Sequence, residues 1–194
     1  MGIEERLFRE INAMAGKVQL IDLAMIVISS PLTWMVVGVL VLICSIVFKH
    51  RQLLTVFFAA LVSLGLADLV SFRVVKQLVG RERPCRIMAD VHLVLDQCGG
   101  SYGFTSNHAA NAFAVWAIVA LGFGARSYTS ALVISLASLV AVSRVYLGVH
   151  FVGDIFGGAM LGIMIGLLVA RIGILKYCEQ LAKKIEDYRA SSGK

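Results

Sequence analysis

The sequence predicts an all-α integral membrane protein: a helical bundle of five or six transmembrane helices plus a short N-terminal amphipathic helix. Three observations predict it. Of 194 residues, 59% are hydrophobic and 15% carry charge, with a mean hydropathy of +0.85. A water-soluble domain holds about 25% charged residues. Proline occurs only at Pro31 and Pro84, so long helices are uninterrupted. Five apolar runs are each long enough to cross a hydrocarbon layer of about 30 Å, some with tilt. No internal repeat, linker or low-complexity segment divides the chain, and residues 1–194 read as one domain.

The elements follow in order. The first residues, Met1-Gly2-Ile3-Glu4-Glu5-Arg6, lack the basic start and apolar run of a cleavable signal, so insertion is expected to rely on internal spans. Residues 3–16, within an N-terminal segment 1–17, read as an amphipathic helix. Ile3, Leu7, Ile11 and Met14 recur at helical spacing, with Glu4, Glu5, Arg9 and Glu10 facing away. It either lies on the bilayer surface or packs on the rest of the protein. Residues 18–30 are apolar but carry Asp22 and end in Ser29-Ser30-Pro31, so they are expected to enter one leaflet without crossing. The longer runs are Leu32–Phe48, Leu53–Val79, Asn107–Phe123, Tyr128–Leu147 and Phe151–Ile174. Five spans place the N-terminus outside; six place both termini inside. The segment 176–194 is expected to continue the last helix into the cytoplasm.

Basic residues orient the spans. Lys49, Arg51, Arg126, Arg171, Lys176, Lys183, Lys184 and Arg189 fall on one side, which is therefore cytoplasmic. The long connection 80–105 and the short one around Gly148–His150 fall on the other. The net charge of +6 fits this bias together with a phosphate site. Nucleic acid is excluded as a partner, because no basic stretch interleaved with aromatics forms a groove-sized patch.

Chemistry-bearing residues gather on the non-cytoplasmic side. Lys76, Arg83 and Arg144 lie at or beyond helix ends, where each alone reads as snorkelling to headgroups. Three cations sharing an end with two histidines point instead to a phosphate. Arg offers a planar fork for its oxygens and Lys a compact charge. Pro84 biases Arg83 toward an extended conformation that aims it back at the helix ends. Ser106 stands at a natural N-cap, and the following N–H groups form an anion site. His108, in the first turn, is placed to protonate a leaving oxygen. His150 and Asp154 share one helix face. A carboxylate on one imidazole nitrogen fixes the tautomer and frees the other to attack phosphorus. In a membrane-embedded chain, the substrate expected is a lipid phosphate or diphosphate.

At this point the sequence resembles the type 2 phosphatidic acid phosphatase (PAP2) superfamily. That family's pattern is Lys-x₆-Arg-Pro, then Pro-Ser-Gly-His, then Ser-Arg-x₅-His-x₃-Asp. KQLVGRERP at 76–84 and SRVYLGVHFVGD at 143–154 match in full. TSNH at 105–108 keeps Ser106 and His108, with Thr105 in place of Pro and Asn107 in place of Gly. The resemblance implies a metal-independent enzyme with no cofactor. His150 is then the nucleophile that becomes phosphohistidine, oriented by Asp154, and His108 is the general acid. Lys76, Arg83, Ser106, Asn107 and Arg144 bind phosphate. Asp90 and Asp96 have no partner set that suggests a metal.

The resemblance further implies a bacterial lipid phosphatase of the inner membrane, its site facing the periplasm or cell exterior. Undecaprenyl diphosphate is the first expected substrate, with lipid A and phosphatidylglycerophosphate beside it. A phosphotransferase using the same site and a non-catalytic anionic-lipid-binding protein are the alternatives. Of four cysteines, Cys85 and Cys98 are expected to form a disulfide that holds Arg83, ahead of two free thiols and of a zinc site. Cys44, in a span, reads as a small apolar residue. Asp68 and Arg73 read as a buried pair or a polar contact between helices. Gly157, Gly158 and Gly162 read as helix-packing positions, and Trp34 as an interface anchor.

Overall fold

The computed structural model describes residues 2–173, and beyond them 176–177, 180–181, 183–185 and 187–188. Its helices are α1 (Ile3–Asn12), α2 (Gln19–Ser29), α3 (Pro31–Val47), α4 (Arg51–Val70), α5 (Lys76–Val79), α6 (Pro84–Ile87), α7 (Asn107–Phe123), α8 (Tyr128–Tyr146) and α9 (Val152–Arg171). A π-helical segment, Ser71–Val75, joins α4 to α5 and makes one apolar rod from Arg51 to Val79. That rod, α8 and α9 are each long and apolar enough to cross a membrane. α2 and α3 meet at a 60° bend. There Trp34 donates its indole N–H to the Ile28 carbonyl at 2.7 Å, so it braces the bend. α7 is apolar and has 17 residues, about 26 Å of helix. By length and composition the described residues offer three crossings, or four with α2–α3 as one bent span, and α7 is a shorter apolar helix beside them.

Close approach of small residues sets the core. α7 packs against α9, α4 and α8. On α9, Gly158, Gly162 and Gly166 face the backbone of α7 and its residues Ala109, Ala110, Ala114 and Ala117. A Cβ at Gly162 would lie 2.1 Å from the Ala110 carbonyl oxygen, so the two backbones touch. Gly157 instead makes room for the Phe104 ring. Dispersion between closely packed backbones drives such contacts where lipid tails are as apolar as the side chains.

The two ends of the bundle differ. At one, Gln52 donates to the Gly122 carbonyl at 2.7 Å, which joins the turn carrying Lys49 and Arg51 to the turn carrying Arg126. At the other lie the 80–105 connection and the 147–151 turn. Cys85 and Cys98 are bonded across that connection, with Cα atoms 5.9 Å apart.

Of the two readings left open for α1, packing on the protein is the one observed, and two expectations are corrected. α1 packs on the site end through Phe8 and Asn12, both buried, while Ile3, Leu7 and Met14 face outward. Phe8 meets Phe151 edge to face at 5.5 Å, and the Asn12 amide is held by Tyr146 and His92 at 2.9 Å each. Glu4, expected to face away, turns toward the protein and stays half-exposed, because Arg81 and the Gly153 N–H bind it. Finally, α9 stops at Arg171, before the expected end at Ile174, because Gly173 takes the left-handed conformation at φ 83°. The expectation for Arg189 lies outside the described residues.

Candidate active site

Two helix N-termini build the site. The glycine stripe of α9 brings α7 so close that the Ser106 N–H donates to the Asp154 carbonyl at 3.0 Å. Gly148 turns the chain with φ 83°, a conformation open to glycine, and packs against the His92 carbonyl. His150 follows between α8 and α9, 2% exposed. Asp154, fully buried, takes His150 Nδ1 at 3.3 Å and the Phe151 N–H at 2.9 Å on the same oxygen.

The tautomer follows from the partners. Arg83 Nη1 lies 3.2 Å from His150 Nε2. A guanidinium only donates, so Nε2 is the acceptor and the ring proton sits on Nδ1, toward Asp154. Burial pushes His150 well below the usual histidine range, and Arg83, Arg144, Lys76 and His108 push it the same way. The ring is therefore neutral at pH 7, with its Nε2 lone pair directed away from the carboxylate.

The cations are positioned by backbone and by one unexpected serine. Arg83 Nη1 also donates to the Val149 carbonyl at 3.1 Å. Arg144 Nη1 donates to Ser29 Oγ at the α2–α3 bend. His108 hydrogen-bonds to the backbone of the same Ser29. Eight buried polar atoms among the described residues have no protein partner, and three of them, Arg83 Nε, Arg144 Nε and Ser106 Oγ, belong to this site. Buried polar groups are nearly always bonded, so these three can take an anion's oxygens. A cleft of about 180 Å³ opens beside the two arginines, lined by Arg83, Arg144, Leu147, Val149 and residues 95 and 97–99 of the connection.

Two expected phosphate ligands are engaged by protein groups in this structure. Asn107 receives Ser71 Oγ at 3.0 Å and donates to Asp68 at 2.8 Å, so its amide is committed to the α4–α7 contact. Lys76 donates to the carbonyls of Tyr102, Gly103 and Thr105 at 3.3, 3.1 and 2.6 Å. It contributes its charge and ties down the loop before Ser106, and its three protons are taken. Asp68 also receives Asn111 at 3.2 Å, a polar contact between helices, whereas Arg73 lies over the Phe72 ring. Sequence reasoning missed Ser29, Arg81 and Glu4. Arg81 sits inside the Lys76–Pro84 segment and donates to Asp154 Oδ1 at 3.1 Å. Ser29 and Glu4 carry no sequence signal, since their partners are more than 70 residues away.

A helical membrane bundle that buries a His–Asp pair among arginines and an unpartnered hydroxyl is suited to phosphoryl chemistry. The chain belongs to the PAP2 superfamily, whose model matches residues 52–176. Lipid A 4'-phosphatase of Porphyromonas gingivalis is 29% identical over 174 residues, 88% of this chain and 72% of that protein. Phosphatidylglycerophosphatase B of Bacillus subtilis is 40% identical over 77 residues, 36% of this chain and 38% of that one. The crystal structure of Aquifex aeolicus LpxE superposes with a TM-score of 0.66 at 24% identity, over 88% of this chain and 96% of that chain, and shares the fold.

Proposed function

We propose that this PAP2-type phosphatase removes phosphate from a membrane lipid at the extracytoplasmic face of the inner membrane, through His150 and without a metal. One observation carries the reading: Arg83 Nε, Arg144 Nε and Ser106 Oγ are buried without protein partners at a neutral histidine whose Nε2 carries the lone pair and is held by Arg83 Nη1, a bond that a phosphoryl oxygen would take over. Nε2 attacks phosphorus; the N–P bond forms as the P–O bond to the lipid breaks. His108 gives its proton to the departing lipid oxygen. Water then attacks phosphorus, losing a proton to His108; the new P–O bond forms as the N–P bond breaks, His150 is regenerated and inorganic phosphate leaves. Asp154 holds the ring and stabilises its positive charge, while the arginines and Ser106 stabilise the phosphoryl oxygens.

A lipid A phosphate is the first substrate to test, because the P. gingivalis relative matches across 88% of this chain. Phosphatidylglycerophosphate follows from the B. subtilis relative. Undecaprenyl diphosphate, the first expectation from sequence, has no relative among these to support it. No observation favours the phosphotransferase or the non-catalytic binding protein.

The test is phosphate release by purified protein in detergent with EDTA, from each of the three lipids, with His150→Ala and Asp154→Asn beside wild type. Release survives EDTA. It falls on the order of 10³-fold or more in His150→Ala, with Asp154→Asn close behind, as for nucleophiles and their orienting carboxylates elsewhere. Equal release by wild type and His150→Ala, or release abolished by EDTA, sinks the reading.

A further inference from the structure

We propose that Arg81, clamped by Glu4 of α1, is a positioning residue for Asp154, so that the N-terminal helix is a working part of the active site. This rests on the His150–Asp154 reading given above. Asp154 is fully buried, and only one of its oxygens is used by His150 and the Phe151 N–H. The other is taken by Arg81 Nη1 at 3.1 Å. A buried carboxylate oxygen left unpaired is costly, and a carboxylate free to rotate loses its aim at the imidazole. Arg81 thus fixes both the charge and the rotamer of Asp154.

Arg81 is in turn fixed by three contacts that converge from different parts of the chain. Glu4 Oε2 takes its Nη2 at 2.6 Å, and Glu4 Oε1 takes its Nη1 at 3.1 Å. The guanidinium lies 4.5 Å over the Phe151 ring, and that ring is packed by Phe8 of α1. Glu4 Oε1 also accepts the Gly153 N–H at 2.9 Å, in the first turn of α9. A Cβ at Gly153 would lie 2.5 Å from that oxygen, so glycine is what admits the carboxylate. The relay runs Glu4, Arg81, Asp154, His150. Arg81 lies on the side of Asp154 away from His150, and it is His150 Nε2, not Arg81, that faces Arg83. The outward apolar residues of α1, Ile3 and Leu7, suit a helix seated at the bilayer interface. In that seat, the site is complete only when α1 is docked.

The experiment measures kcat, KM and inhibition by inorganic phosphate for lipid A hydrolysis in detergent. The variants are Arg81→Gln, Arg81→Lys, Glu4→Gln and Gly153→Ala, with Glu10→Gln as the control. Glu10 stands exposed on the same helix, outside the relay and outside the contacts that dock α1. For Arg81→Gln, kcat falls roughly tenfold or more, as when other orienting partners are lost. KM and phosphate inhibition stay within about twofold, because no substrate contact has gone. Arg81→Lys restores part of kcat. Glu4→Gln and Gly153→Ala lower kcat by about threefold or more, and Glu10→Gln matches wild type. If phosphate inhibition weakens along with kcat in Arg81→Gln, Arg81 is a ligand and the proposal is overturned. Full kcat in Glu4→Gln and Gly153→Ala removes α1 from the site, and these two variants decide the matter even if Arg81→Gln does not fold. Full activity in His150→Ala would instead defeat the underlying reading; loss there with full activity in Arg81→Gln defeats only this one.

Discussion

The two ends of the bundle are built by opposite rules. At the end carrying Lys49, Arg51 and Arg126, helices are joined by short turns, and Lys49 and Arg126 stand exposed in solvent. One side-chain bond, Gln52 to Gly122, links those two turns. At the other end, charges are buried and cross-linked. Lys76, His150 and Asp154 are all under 7% exposed. α1 grips the connection through Arg9–Asp90 and through the paired Asn12–His92 bonds, and a disulfide closes it. The first set of charges has only to choose a side of the membrane, which is a matter of number and not of geometry. The second has to hold fixed directions against desolvation, so each is tied by hydrogen bonds.

The disulfide is the sharpest way to break that contrast. It spans 13 residues, a loop whose closure contributes about 3 kcal/mol in the chain-entropy picture. It also frames Arg83: Arg86 donates to the Gly99 carbonyl at 3.1 Å, and Gly99, at φ 76°, lies against the Arg83 guanidinium. The expected outcome of Cys85→Ala/Cys98→Ala is a lower melting temperature in detergent and weaker inhibition by phosphate. Reductant does the same to wild type, while Cys44→Ala changes neither. Indifference to reductant would show that the loop is held by its other contacts.

The second test reaches the site through the core. Gly162→Ala places a methyl group 2.1 Å from the Ala110 oxygen, and overpacking of this kind costs about 1–3 kcal/mol. α7 and α9 must part, which lengthens the Ser106–Asp154 bond that joins their N-termini. Melting temperature and kcat fall together. In Gly65→Ala, where a new Cβ meets nothing within 4 Å, both stay at the wild-type value. A Gly162→Ala protein with full stability and kcat would mean that the glycine stripe does not set the site.

How far the sequence could be read differs between these ends as well. The gathering of His150, Asp154, Arg144 and Ser106 at one end was legible because they sit at fixed short spacings on helix ends. The apolar runs were legible because hydropathy needs no partner. The pairing of Asn107 was not legible, because Asp68 and Ser71, which hold its amide, lie more than 35 residues earlier. α1 misled for a related reason. Its most apolar stripe is the one that suits lipid, so periodicity put Glu4 outside, whereas Arg81 draws Glu4 inward. Ser29 was invisible: a serine before Ser30-Pro31 reads as the end of a helix, and nothing local announces Arg144, 115 residues on. What the sequence hides here is pairing across the bundle, which depends on where helices bend.

The smallest effect expected is a pH dependence of stability from His150 alone. Unfolded, its imidazole takes a proton near pH 6.5. Folded, burial first and then the neighbouring cations hold it well below that. The unfolded chain therefore binds more protons as pH falls through 6.5, and folding loses stability on the acid side. The stabilising difference is fully present above pH 6.5. One proton limits the slope to about 1.4 kcal/mol per pH unit. Melting temperatures of wild type and His150→Gln in detergent at pH 7.5, 6.5 and 5.5 isolate the contribution, since every other titrating group is common to both. The gap between them narrows, or changes sign in favour of the variant, as pH falls. A gap that stays constant across those values would mean that His150 takes its proton as readily in the folded protein as in the unfolded one. It would then be charged in mild acid, with Nε2 protonated and unable to attack phosphorus.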